Sequence, residues 1–141
     1  MLKVTVDTNV IISALLKKDS VPAKVVSHIL NECQLCISRY ILEELEDVLK
    51  RPKIKSVIGW DDNRIKRYLV GLEEASTLLE HPPILKIVKE DPSDDNILAC
   101  AVSAQVDYLI TGDNHLIQLG IYKGIQIISP SEFLTVLQNG K

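Results

Sequence analysis

Apolar residues recur along this chain in two rhythms, short β-branched runs and longer stretches at helical spacing, and their alternation lays out a fold. Leu2 to Val6 is a strand signal, Val4 and Val6 being β-branched, and it ends at Asp7-Thr8-Asn9. Val10 to Leu16 reads as a helix, and Pro22 starts another that carries Val25, Val26, Ile29 and Leu30. Leu35-Cys-Ile is a second short strand ending in Ser38, which suits the N-cap of a helix from Tyr40 to Lys50 that Pro52 closes. Asp61-Asp62 opens a further helix to about Ala75, with Ile65, Leu69 and Leu72 on one face. Pro82-Pro83 marks a connection, Ile84 to Val88 is a strand signal, Asp91-Pro-Ser-Asp-Asp is turn chemistry, and Ile97 to Ala104 is apolar at helical spacing. Asp107 to Thr111 is strand, Gly112-Asp113-Asn114 a turn, Ile125 to Ile128 strand, and Pro130 at the N1 position opens a last helix to about Leu137.

Strands thus alternate with helices, and the strands are short Val/Ile/Leu runs of the kind buried on both faces. The expected fold is a three-layer α/β/α sandwich, Rossmann-like, with a central and mostly parallel sheet of four to five strands. No internal repeat, low-complexity segment or linker divides residues 1–141, so one domain is expected. At 46% hydrophobic and 25% charged residues, a chain of 141 has core enough to fold without disulfides. Its cysteines, Cys33, Cys36 and Cys100, are odd in number, and no leader or bilayer-length apolar run is evident, which points to a reducing cytoplasm and no membrane.

A net charge of −3 gives no overall attraction to nucleic acid, so phosphate contacts would have to be local. Lys50, Arg51, Lys53, Lys55, Arg64, Lys66 and Arg67 form such a cluster, readable equally as a solvated helical surface; Arg51, Lys53, Lys55, Arg64 and Arg67 are the candidate nucleic-acid contacts. Trp60 and Tyr68 beside it are either stacking rings or a hydrophobic contact. Cys33-Gln-Leu-Cys36 has redox or zinc spacing but no second pair, and core packing is the better reading. His115 is read first as a surface histidine, with substrate contact as its alternative.

In an open α/β sheet, ligands bind beyond the carboxyl ends of the strands, so acids that closely follow strands carry the chemistry. Asp7 follows the first strand, Asp113 the Tyr108 strand, and Asp94-Asp95 stand at the start of a helix. A fourth acid is expected from the helix after the second strand, where Glu44 and Glu46 flank the apolar face of Ile41, Leu42, Leu45, Val48 and Leu49. Converging carboxylates repel, and oxygen donors without a histidine or cysteine cluster suit Mg²⁺ or Mn²⁺, the ions of phosphate-ester chemistry. Taken singly, Asp7 or Asp113 could equally be a helix cap.

Val4-Thr-Val-Asp-Thr-Asn-Val-Ile-Ile-Ser-Ala, Ser38-Arg-Tyr-Ile-Leu-Glu-Glu-Leu, Asp94-Asp-Asn-Ile-Leu-Ala-Cys-Ala and Tyr108-Leu-Ile-Thr-Gly-Asp resemble, in order, the four motifs of the PIN domain. The resemblance runs on to Ile128-Ser-Pro-Ser-Glu-Phe-Leu and is nearest to the PIN-family toxin components of prokaryotic toxin–antitoxin pairs, which are Mg²⁺-dependent endoribonucleases. It implies that Asp7, Glu44, Asp95 and Asp113 are the acidic positions and metal ligands and that Asn9 and Thr111 support them; Asp94 reads by capping chemistry as the N-cap of its helix, with exchange of the Asp94 and Asp95 roles left open. It also implies RNA as substrate, a small antitoxin protein as partner, and a homodimer. The rivals are an aspartyl-nucleophile phosphatase of haloacid-dehalogenase-like type, for which Asn9 stands where a second Asp is needed as general acid, and a non-catalytic protein-binding module on the same fold.

Overall fold

Val4, Thr5 and Val6 are all buried, so the first strand has no solvent face and belongs in the middle of a sheet covered on both sides. The computed structural model describes residues 1–80 and 92–139, excepting the side chains of residues 92–94. Its strands are β1 (Lys3–Val6), β2 (Gln34–Ser38), β3 (Thr77–Leu79), β4 (Tyr108–Ile110), β5 (Ile121–Tyr122) and β6 (Ile125–Ile128). They form one sheet in the order β3-β2-β1-β4-β6-β5, parallel throughout except for β5, which pairs antiparallel with β6. Val4 sits in register with Leu35 on one side and Tyr108 on the other, which puts β1 and β4 side by side although most of the chain separates them.

The helices are α1 (Thr8–Leu16), α2 (Val21–Glu32), α3 (Arg39–Leu49), α4 (Pro52–Ile58), α5 (Asp62–Glu74), α6 (Pro92–Ala104), α7 (Asn114–Ile117) and α8 (Pro130–Asn139). They flank the sheet in the expected α/β/α arrangement. Ile29, Leu45, Ile65, Leu98, Leu109 and Phe133 are essentially solvent-free in its core. Ser20, Ser38 and Asp61 cap α2, α3 and α5 by accepting hydrogen bonds from Ala23, Ile41 and Arg64 N–H.

Three expectations change. Among the described residues the sheet has six strands rather than four to five, because β3 and the two-residue β5 add short edges. The Lys123-Gly124 pair between β5 and β6 has φ of 50° and 83°, the left-handed backbone of a tight hairpin. Pro52 does not merely close α3; it opens α4, since proline at the first helical position gives up only an N–H that has no partner there. Finally, α6 begins at Pro92, so Asp94 lies within its first turn and is not the residue before the helix. The strand signal at Ile84–Val88, the Pro82-Pro83 connection, His81 and Asp91 lie outside the described residues.

Cys36 and Cys100 are free and fully buried, and burial pushes the Cys100 thiol up to about 12, so core packing holds for both. Cys33 is also free. Among the described residues no helix is long and apolar enough to cross a membrane.

Candidate active site

The chain leaves β1 and β4 at adjacent points, and the residues that follow are wired together. Asp7 N–H donates to Ile110 O (2.9 Å), extending the β1–β4 pairing by one residue, and Thr111 N–H donates to Ile128 O (3.0 Å), doing the same for β4 and β6. Both side chains are therefore held at the carboxyl edge, Asp7 at 4% exposure and Thr111 at 0%. Asp7 Oδ1 accepts from Asn9 N–H (3.2 Å) and so caps α1, while Oδ2 accepts from Thr111 Oγ1 (2.7 Å). Thr111 Oγ1 in turn accepts from Asp113 N–H (3.0 Å), and Asp113 Oδ1 accepts from His115 N–H (2.8 Å), capping α7. The cap reading holds for both aspartates, and a threonine hydroxyl links them.

The electrostatics of Asp7 bring in the second motif. Burial raises its pKa above the ordinary 3.8, the Thr111 and Asn9 donors oppose that rise, and the charges of Glu44 and Asp113 add to it. Glu44, half-buried on α3, is thus close enough for its charge to act on Asp7. Glu46, on the opposite flank of α3, pairs with Lys50 (3.2 Å). Of the two glutamates that periodicity left open, Glu44 is the one whose charge acts on Asp7.

Asp95 is 8% exposed in the first turn of α6, a helix that packs on β1 and β2. Because α6 leads into a strand parallel to its neighbours, it runs against the strand direction and starts at the carboxyl edge. Among the described residues no three acidic, histidine or cysteine side chains form a ready-made cation site. The donor chemistry nevertheless fits a hard divalent ion: Asp7, Glu44 and Asp113 offer only oxygens, and their mutual repulsion is what such an ion offsets.

Beside Asp113 lies a cleft of ≈ 270 Å³ walled by Asn9, Val10, Ser13, Pro22, Gly112 and Pro130. Nothing in the sequence marked Ser13, Pro22 and Pro130 as walls of one cleft, because nothing local relates residues that meet only through the packing of α1, α2 and α8. His115 is half exposed, its Nδ1 3.7 Å from Asp113 Oδ1. The basic cluster is elsewhere, beyond the far end of α3. Arg51 pairs with Asp47 (3.2 Å), Lys55 with Asp62 (2.7 Å), and the Arg64 guanidinium lies 4.8 Å from the centre of the Trp60 ring. Trp60 itself packs on Tyr68 at 5.3 Å and against the core, the hydrophobic contact of the two readings. Lys53 and Arg67 remain exposed.

Comparison with known proteins places these features in context. A family model described as the PIN domain matches residues 3–115, a span that holds Asp7, Glu44, Asp95 and Asp113. An uncharacterized protein of Methanocaldococcus jannaschii is 30% identical over 119 residues, which cover 84% of this chain and 75% of that protein. Among solved structures, VapBC2 from Rickettsia felis bound to a DNA fragment from their promoter is similar with a TM-score of 0.60 at 14% identity, covering 91% of this chain and 98% of that one. DNA-bound VapBC from Salmonella typhimurium gives 0.59 at 22% identity, with 92% and 99% covered. At these identities the likeness is one of fold.

Proposed function

Because this chain belongs to the PIN-domain family, we propose that it is a metal-dependent endoribonuclease whose acids are Asp7, Glu44, Asp95 and Asp113. The observation that carries the reading is the link Asp7–Thr111–Asp113, placed at the carboxyl edge between two parallel strands, with Glu44 acting on Asp7 through its charge. Asp7, Glu44, Asp95 and Asp113 would hold Mg²⁺ or Mn²⁺. When bound, such an ion supplies positive charge against both the attacking water and the scissile phosphate. Thr111 fixes the Asp7 carboxylate, the Asn9 backbone fixes its other oxygen, and the cleft beside Asp113 admits the RNA backbone. Residues 1–141 act as one domain in this reading.

The fold shared with VapBC proteins supports a further step, that the chain is the toxin of a toxin–antitoxin pair, with a small antitoxin as partner and a homodimer as its assembly. The phosphatase reading is the weaker one. Both Asp7 oxygens already accept hydrogen bonds at a 4% exposed position, a poor state for a nucleophile, and Asn9 cannot serve as general acid. The test is incubation of the purified chain with single-stranded and structured RNA in Mg²⁺, Mn²⁺ or EDTA. Cleavage is expected with either ion and not in EDTA; undiminished cleavage in EDTA overturns the metal reading, and none under any condition favours the non-catalytic module.

A further inference from the structure

On α3, burial of Ile41, Leu42, Leu45 and Leu49 leaves two flanks. Arg39, Glu43 and Glu46 lie on one, along a groove shared with α5. Glu44 lies on the other, toward Asp7. With about 3.6 residues per turn, Tyr40 stands on the Glu44 flank one turn earlier, where side chains four apart are neighbours. Since α3 follows β2 directly, its first turn sits at the carboxyl edge with the acids.

Tyr40 also differs from every other aromatic residue in the chain. Trp60 packs on Tyr68, Tyr108 on Phe133 at 5.3 Å, and Tyr122 lies under Lys123 at 5.6 Å. All five are buried in the core or packed against it. Tyr40 is 39% exposed and has neither kind of partner among the described residues. Its position is nonetheless firmly held. Ser38 Oγ accepts from Ile41 N–H (3.2 Å), and Arg39 forks onto Glu80 (2.9 and 3.2 Å) while also bonding Glu73 (2.9 Å). An open ring on a firmly held turn of helix, beside the proposed phosphodiester site, is a stacking platform. The local charge makes such a platform useful, because an acidic edge repels a polyanion, and Arg51, Lys55 and Arg64, already committed to other contacts, lie at the far end of α3.

Resting on the nuclease reading above, we propose that Tyr40 is a substrate-contacting residue that stacks on an unpaired base of single-stranded RNA next to the scissile phosphate. Duplex RNA hides its base faces and cannot use the ring. A stack made equally before and during the reaction raises KM when lost and leaves kcat alone.

The experiment compares the parent with Tyr40→Ala and Tyr40→Phe in Mn²⁺, on single-stranded RNA of defined sequence and on copies with one abasic nucleotide at successive positions around the cut. Tyr40→Ala is expected to raise KM on the order of tenfold to hundredfold with kcat kept, and Tyr40→Phe to match the parent. One abasic position should impose a similar loss on the parent and little more on Tyr40→Ala. That factor should also stay nearly constant with salt, unlike a phosphate contact. Unchanged KM in Tyr40→Ala, or abasic losses that simply add to it, overturns the stacking role while leaving the nuclease intact. A parent that cleaves no RNA overturns both.

Discussion

Thr111 Oγ1 lies 2.7 Å from Asp7 Oδ2 across 104 residues of sequence, and the direction of that bond is fixed. The Asp113 backbone N–H can only donate, so at 3.0 Å it takes a lone pair of the hydroxyl, and the single hydroxyl hydrogen is left for Asp7. A side chain without titratable charge thereby favours the ionised form of a buried acid and sets the backbone of its neighbour.

Replacing the hydroxyl by a methyl group should therefore disturb both acids. Thr111→Val is expected to lower Mn²⁺-dependent cleavage by about 10- to 100-fold, the range for partners that orient metal ligands. It should also destabilise the fold by roughly 1–3 kcal/mol through the unsatisfied Asp113 N–H. Thr111→Ser should recover most of both losses. Cleavage rates and urea midpoints on the three proteins check this; a Val variant as active as the parent removes Thr111 from the site.

Asp7 should impose a pH dependence on the metal-free protein. Burial first, with Glu44 and Asp113 adding, raises its folded pKa above 3.8, so the folded state holds this proton more tightly than the unfolded chain does. Its contribution to stability is complete below 3.8 and is lost as pH rises through the higher folded value. Asparagine still caps α1 but carries no charge, so Asp7→Asn should gain on the parent as pH rises above 3.8. Asp7→Ala loses the cap as well, worth about 0.5–2 kcal/mol, at every pH. Parallel stability curves for the parent and Asp7→Asn in EDTA would contradict this account.

An ion that binds only the folded chain raises its thermal midpoint, by about 2.7 kcal/mol of added stability at a hundred times Kd. The parent is expected to show that shift with Mn²⁺, and Asp7→Asn, Glu44→Gln, Asp95→Asn and Asp113→Asn to lose most of it. Glu46→Gln should keep it, because its carboxylate is turned to Lys50. If Asp94→Asn abolishes the shift and Asp95→Asn does not, the third acid is Asp94.

Expression of the chain alone should arrest growth, and co-expression with a small protein from an adjacent reading frame should relieve the arrest by forming a stable complex. Sedimentation of the isolated chain should show a dimer. A harmless monomer with no such complex would count against the toxin reading.

The sequence was most legible where one residue type has one local job. Ser38 before Tyr40 and Asp61 before Asp62 marked helix starts, and β1, β2, β4 and β6 announced themselves as Val, Ile and Leu runs. Pro52 closed α3 as expected but gave no sign of opening α4, because proline stops one helix and starts another by the same loss of an N–H, and Gly59 at φ 74° ends the segment it opens. β3 and β5, at three and two residues, have no period to detect, and exist because neighbouring strands offer them hydrogen bonds. Of the candidate site, Asp7 and Asp113 could be placed from strand ends, and Thr111 through the family resemblance. The choice of Glu44 over Glu46 needed the direction of each α3 flank, and the openness of Tyr40 needed to know where every other ring was spent.

The pairing of β1 with β4 also governs the order in which this molecule can be made. Asp7 emerges 104 residues before the Thr111 it must meet, so no nascent chain that stops short of β4 holds the linked aspartates. Contacts this distant in sequence close late and slowly compared with local helices. A translating ribosome would thus carry an inert precursor until the sheet is nearly complete, and truncation before residue 108 should leave helices without a site.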